Sequence, residues 1–310
     1  MAAIDVHQHL WPEPLLAALA RRRRPPRLLR HRDGWTLRIH GESDSPVDPG
    51  DHDPDRRAAL LEAHGVDRAL VAPSVPLGIE ALPRDEAEPL LEAYHEGVAE
   101  LPVQFGAWAA VGLAEPDAGA LDALLDRGFV GACVAADALA DPAGLSALSP
   151  VLVLLERRGA PLLVHPGPSP CTLRAAHPEG APPWWPAMTR YVASMNAAWH
   201  AFGAVGRPAH PRLKICFAML AGLAPLQRER LAARGGRAAG DPLTFVDTSS
   251  YGPRAVDAVI RELGVDALVH GSDVPVVAGR EPMLGEAVRV ALRERNPARL
   301  LTPAPEEVFA

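Results

Sequence analysis

"AAIDVHQHLWP", residues 2–12, sets two histidines at i and i+2 behind the first strand-like run of the chain. Side chains alternate across a strand, so His7 and His9 point the same way, with Asp5 one pleat below. A lone histidine reads as a satisfied core residue. Two imidazoles on one face crowd each other, and a shared divalent cation relieves that crowding. The question is which other strands end in residues of the same kind.

Short apolar, β-branched runs recur at residues 3–7, 68–73, 104–111, 129–134, 161–165, 213–219, 243–248 and 267–271. Near-continuous hydrophobicity, as in "RALVAP" and "APLLVH", fits strands covered on both faces. Helical patterns lie at residues 54–64, 85–100, 117–126, 142–158, 186–205, 224–233, 254–263 and 281–293. The first follows Asp53, a good N-cap, and has Pro54 at its first position. Several stop at glycine: Gly65, Gly128, Gly159 and Gly264.

These alternations predict an α/β chain folded as a (β/α)8 TIM barrel, with residues 1–310 as one domain. An open doubly wound sheet ranks second, because no G-x-G-x-x-G follows a strand. Two connections are too long for plain loops. Residues 10–53 follow strand 1 as an insertion over residues 11–53, in which "WTLRIHG" reads as a small hairpin. Residues 166–185 follow strand 5 and are rich in Pro and Gly. Both follow strand C-termini, where barrels carry their active sites, so both read as lids.

Composition narrows the class. The chain has 310 residues, 48% of them hydrophobic, and a net charge of −7. An acidic balance gives no electrostatic case for nucleic acid or an anionic membrane. The arginines at 21–24, 27 and 30 read as a solvated patch on the insertion. Three cysteines at no metal-like spacing point to a reducing compartment without disulfides. No secretory leader and no bilayer-spanning apolar run is visible, so the expectation is a soluble cytoplasmic protein with a small-molecule substrate.

Two more strand ends supply candidate ligands. Strand 5 ends "LLVHPGP", which places His165 at the barrel mouth, and strand 8 ends "LVHGSDVP", which places Asp273 there. Three neutral nitrogens and a carboxylate suit zinc or another first-row divalent ion with a position open to water. Such an ion lowers the pKa of bound water to about 7, and Asp273 beside it can take the proton.

In this order, "DVHQH", "LLVHPG", "LKICFAM" and "GSDVP" resemble the amidohydrolase superfamily, specifically its amidohydrolase-2 branch. That branch includes hydrolases, lactonases and non-oxidative decarboxylases of the aminocarboxymuconate-semialdehyde type. The resemblance runs from Ile4 to about Pro275. It implies a metal-dependent TIM barrel with His7, His9, His165 and Asp273 as metal ligands, and Asp273 as the residue that accepts or relays a proton. Barrels of this branch are often homodimers.

The sequence departs from the family in two places. Where the family carries a histidine at the end of strand 6, this chain has Met219, whose thioether is no general base and a poor ligand for hard ions. His200 falls inside a helix, His210 sits at the other end of strand 6, and His177 lies in the strand 5 loop. Binuclear relatives bridge two metals with a carboxylated lysine or a glutamate on strand 4. Here "FVGACVAA" offers neither, and Lys214 is the chain's one lysine. One metal is therefore expected, zinc first and manganese as the alternative. Cys133 reads as core.

Substrate contacts are assigned to Trp11, Trp184, Arg174 and Arg254, with Trp185, Trp35 and Arg280 as further loop residues. Tyr191, Met195, Trp199 and Phe202 follow helical spacing and read as core. On strand 7, Asp247 and Ser249 share a face, so one of them can back a ligand from behind. The expected function is a metal-dependent hydrolase acting on a small carbonyl substrate through metal-activated water. The alternatives are a non-oxidative decarboxylase of an aromatic or unsaturated carboxylic acid, or a catalytically impaired metal-binding barrel in which Met219 has replaced the strand 6 histidine.

Overall fold

The computed structural model describes all residues except 33, 175–177, 179, 237–239, 278–283 and 303–310. Eight short parallel strands form the barrel: Ile4–Gln8, Arg68–Val71, Phe105–Ala107 continued by Ala109–Ala110, Ala132–Ala135, Leu162–His165, Ile215–Phe217, Thr244–Asp247 and Leu268–Val269. Each expected run overlaps its strand, with strands 1 and 4 ending one residue beyond it, at Gln8 and Ala135. The third is split at Trp108, and the ladder resumes beyond it from strand 3 to strand 8. Strands 8 and 1 close the ring through three backbone bonds: Val6 N–H to His270 O at 2.9 Å, Asp273 N–H to His7 O at 2.9 Å, and His9 N–H to Val274 O at 2.8 Å.

The strands are apolar on both faces because barrel interior and helical ring both cover them. Leu163, Cys133 and Cys216 are fully buried and aligned with one another on strands 5, 4 and 6. Strand 1 slips register against strand 2 between Asp5 and Gln8. The Val6 carbonyl there accepts the Trp108 indole N–H at 2.9 Å, with Trp108 wholly buried. The buried apolar residues form one continuous cluster.

Helix starts follow local chemistry. Asp53, Asp117 and Asp141 each accept a backbone N–H three residues on, capping Pro54–Ala63, Ala118–Asp126 and Pro142–Arg158. Each such cap is worth about 1 kcal/mol. Other expectations need correction. Residues 186–205 are not one helix: Trp185–Met188 breaks at Thr189, and Arg190–Ala201 runs on into a widened turn, Phe202–Gly206. Residues 224–233 are α-helical only over Arg228–Ala233; residues 224–227, which include Pro225, form a tighter 3-10 turn after a left-handed backbone run. The last helix is described from Glu286 onward.

The insertion is more than a hairpin. It holds a helix, Glu13–Arg21, and three antiparallel strands, Arg27–His31, Gly34–Arg38 and Ser45–Val47. Leu28 and Leu37 pair across it as its buried contacts, while Arg23 and Arg24 are exposed as expected. Two ion pairs pin it across the barrel top. Arg22 donates to Glu86 at 2.8 Å on helix Arg84–Ala99, and Glu42 accepts from Arg190 at 3.1 Å and from Tyr191 on helix Arg190–Ala201. Of the expected core stripe on that helix, Met195 and Phe202 are buried, whereas Tyr191 is half-buried and faces the insertion. Among the described residues, no helix is long and apolar enough to cross a membrane.

One buried histidine outside the barrel mouth gives a stability prediction. His95 accepts the Ala110 N–H at 3.0 Å, and burial, helped by the Arg127 charge, pulls its pKa down to about 4. The unfolded chain protonates this ring near its ordinary value of 6.5, so it binds more protons than the folded chain between pH 6.5 and 4. Stability attached to His95 therefore falls as pH falls through that window. Burial raises Glu80 to about 7, which acts in the opposite sense and cancels in a variant comparison. Between pH 7 and pH 5, His95→Gln should lose about 2 kcal/mol less stability than the wild type in urea titrations. Equal losses would contradict the assignment.

Candidate metal centre

The ends of three strands converge on one small space. His7 and His9 come from strand 1, His165 from the last position of strand 5, and Asp273 from the turn after strand 8. One ligand atom from each lies within 4.8 Å of all the others, and all four residues are buried. The imidazole centroids are 4.9, 4.9 and 5.1 Å apart, with rings nearly perpendicular. The structure thus brings together the four residues that the strand ends nominated.

Each histidine is held from behind. His7 Nδ1 lies 2.7 Å from Asp247 Oδ2, His9 Nδ1 3.0 Å from the Ala72 carbonyl, and His165 Nδ1 2.8 Å from the Pro166 carbonyl. All three partners are acceptors, so Nδ1 carries the hydrogen and donates in each ring. The Nε2 lone pairs are then left facing the centre. His7 Nε2 is 3.2 Å from His9 Nε2, and Asp273 Oδ1 is 3.1 Å from His9 Nε2 and 3.7 Å from His7 Nε2. Neutral rings in these tautomers bring acceptor against acceptor, a buried arrangement that needs a positive charge in the middle. The donor set fits one first-row divalent ion.

The local electrostatics ask for the same charge. Burial disfavours an imidazolium at His7, but Asp247 at hydrogen-bond distance outweighs it, with Asp273 and Asp5 adding to the effect, and holds the pKa at about 9. Burial, reinforced by His7 and His9, keeps His165 neutral well below the usual range. Burial alone would raise Asp273; its contact with His9 and the charge of His7 and His165 outweigh that and keep it ionised well below the ordinary carboxylate value. Asp273 also sits at φ 61, and its second oxygen accepts the Ser250 hydroxyl at 3.1 Å.

Asp5 does not enter this space. Its carboxylate accepts the His7 and Ser272 backbone N–H groups, both at 3.1 Å, and the Gln8 amide at 2.8 Å, so it braces strand 1 against strand 8. Of the two residues that strand parity offered as a backing partner, Asp247 reaches His7, and Ser249 donates its hydroxyl to Asp247. Gly271 is what lets Asp247 fit, since a Cβ there would stand 2.9 Å from the carboxylate.

The remaining candidates separate by position. Trp11 is buried; its indole donates to Ser74 Oγ at 2.8 Å, and its ring stacks 4.4 Å from His52. His52, at the end of the insertion, accepts the Trp11 N–H at 3.2 Å and was not anticipated. Its place became visible only once the insertion folded back over strand 1. Trp184 is 57% exposed and Arg174 is exposed on the loop after strand 5, whereas Arg254, expected on a loop, is exposed in the first turn of helix Pro253–Leu263. Lys214 donates to the Arg299 and Thr302 carbonyls at the far end of strand 6, so it bridges no metals. His210 lies 3.7 Å from Glu156, away from the mouth, and His200 is half-buried on its helix. Cys133 is core, its thiol pushed up by burial. His177 and Arg280 lie outside the described residues.

At the end of strand 6, Met219, Leu220, Ala221, Gly222 and Leu223 run consecutively through the left-handed region, with φ between 46 and 64. Each non-glycine residue there costs roughly 1–2 kcal/mol. Gly222 is the position that demands glycine outright, because a Cβ would meet the Val192 carbonyl at 2.9 Å. Asn196 fixes the turn by donating to the Gly222 carbonyl at 2.8 Å.

A cavity of about 480 Å3 between helices Arg84–Ala99 and Ala118–Asp126 includes none of the four converging residues. The converging polar groups, rather than volume, mark the candidate site. Wild-type protein should carry about one equivalent of divalent metal by plasma mass spectrometry. His7→Ala and His165→Ala should each lower affinity by at least about 100-fold. Unchanged metal content in both variants would place the ion elsewhere.

No family model matches the sequence, and no curated protein does. Solved structures do match, along nearly the whole chain. The 2,6-dihydroxybenzoate decarboxylase from Rhizobium is 20% identical with a TM-score of 0.68, over 97% of this chain and 98% of that one. The 5-carboxyvanillate decarboxylase from Sphingomonas paucimobilis is 18% identical with a TM-score of 0.71, over 98% and 100%. The 5-carboxyvanillate decarboxylase from Novosphingobium aromaticivorans, solved with manganese and 4-hydroxy-3-methoxy-5-nitrobenzoic acid, is 16% identical with a TM-score of 0.72, over 97% and 96%. The chain therefore has, along nearly its whole length, the fold of these decarboxylases.

Proposed function

We propose that this protein is a metal-dependent non-oxidative decarboxylase of a small aromatic carboxylic acid and belongs to the amidohydrolase-2 branch. The carrying observation is the buried set of three imidazole nitrogens and one carboxylate, on a fold shared along its whole length with aromatic acid decarboxylases. The hydrolytic reading taken first from the sequence ranks behind its alternative, because most of the similar solved structures are named as decarboxylases and fewer as amidohydrolases.

A divalent ion at His7, His9, His165 and Asp273 would supply a positive charge to hold oxygen atoms of the substrate. Manganese, present in two structures of the same fold, fits this donor set as zinc does. The chain's own residues do the rest. Asp247, Ala72 and Pro166 fix the imidazole tautomers. Asp273, ionised and held by Ser250, is the group placed to carry the proton that must reach the carbon losing CO2. Trp11, buried between His52 and Ser74, forms an apolar wall beside strand 1. The exposed Trp184 and Arg174, on the strand 5 loop, and Arg254, in the first turn of helix Pro253–Leu263, are the outer residues assigned to substrate. The insertion and helix Arg190–Ala201, joined through Glu42, cover the mouth and exclude water. Met219 offers no basic group at the end of strand 6, so the proposal assigns no proton to that strand.

Manganese- or zinc-loaded protein incubated with hydroxylated benzoates should release CO2 and the matching phenol. Asp273→Asn should lower the rate by at least about 100-fold. Turnover of esters or lactones without CO2 release would restore the hydrolytic reading. Bound metal with turnover of neither class would leave a metal-binding barrel that does not catalyse.

A further inference from the structure

Asp247 does more than back one ligand. Its Oδ2 faces His7 Nδ1 at 2.7 Å. Its Oδ1 accepts the Met219 N–H at 3.0 Å, the Ser249 N–H at 2.9 Å and the Ser249 hydroxyl at 2.5 Å. Ser249 Oγ also lies 3.0 Å from the Met219 nitrogen. Met219 opens the left-handed run at the end of strand 6. One fully buried carboxylate thus holds the tautomer of a metal ligand with one oxygen and anchors a strained turn with the other. We infer that Asp247 is a positioning residue that couples metal binding at His7 to the left-handed turn at Met219–Leu223, so that the ion and this wall of the barrel mouth order together. The inference rests on the metal-site part of the function proposed above.

The geometry makes the amide variant decisive. In Asp247→Asn the side-chain carbonyl must keep the Oδ1 side, where three donors converge. The NH2 group is forced to face His7 Nδ1 and donates to it. His7 must then carry its hydrogen on Nε2, the nitrogen that points at the ion. In Asp247→Ala, by contrast, His7 is free to take either tautomer. The near-isosteric variant should therefore bind metal no better than the truncated one, a ranking that a space-filling role would reverse.

Metal-free protein titrated with manganese or zinc against a chromophoric chelator tests the ranking. Asp247→Asn should bind about 10- to 100-fold more weakly than wild type, and no more tightly than Asp247→Ala. Hydrogen exchange on the wild type tests the coupling without a variant: adding metal should slow exchange of the Met219 amide. An asparagine variant that binds like wild type, or more tightly than the alanine variant, overturns the assignment. So does a Met219 amide whose exchange metal leaves unchanged. A wild type that binds no divalent ion overturns the reading of the site as well. Tight metal binding without decarboxylation would sink only the proposed reaction.

Discussion

Three imidazole nitrogens and a carboxylate oxygen meet in a buried space that needs one positive charge among them, a proton on His7 or a divalent ion. That constraint organises the structure around the barrel mouth. Each Nδ1–H is spent on an acceptor behind it, so in the neutral rings each Nε2 faces the others as an acceptor. Unpaired buried acceptors are costly, and a cation at their centre removes the cost for all four groups at once. Asp247 and Asp273 supply the negative charge that makes such a cation welcome.

The barrel is what makes the convergence possible. His7 and His9 belong to the first strand and Asp273 to the turn after the last, more than 260 residues away along the chain. Closure of the ring puts them side by side: the backbone bonds from Asp273 to His7 and from His9 to Val274 are the seam of the barrel and also the frame of the site. Asp5 strengthens that seam by accepting from both strands. Gly271 leaves room for the Asp247 carboxylate, which links the seam side to strand 6. A substitution that loosens the closure would therefore disturb the ligands even without touching one of them.

Much of this was legible in the sequence. Period-two alternation put His7 and His9 on one face, and the same reasoning placed His165, Asp273 and Asp247 at strand ends, because short buried strands leave little freedom in what points where. The insertion was less legible. Its three strands depend on contacts between Leu28 and Leu37 and on the ties from Arg22 and Glu42 to distant helices, none of which has a local signature. The left-handed turn after strand 6 was also hidden: Gly222 and Pro225 in "MLAGLAPL" mark a break but not its hand, and the bonds from Asp247, Ser249 and Asn196 that hold the turn come from elsewhere in the chain. His52 was missed for a related reason, since its stacking on Trp11 joins two segments that meet only after folding. Hydrolysis was favoured over decarboxylation from residues that serve either reaction, so the strand-end motifs carry the site and not the chemistry.

X-ray absorption at the metal edge of the loaded protein tests the central claim most directly. The account predicts one ion per chain with the multiple-scattering signature of three imidazoles, reduced to two in His165→Ala. A metal environment made only of oxygen, or an imidazole count unmoved by loss of His165, would contradict it.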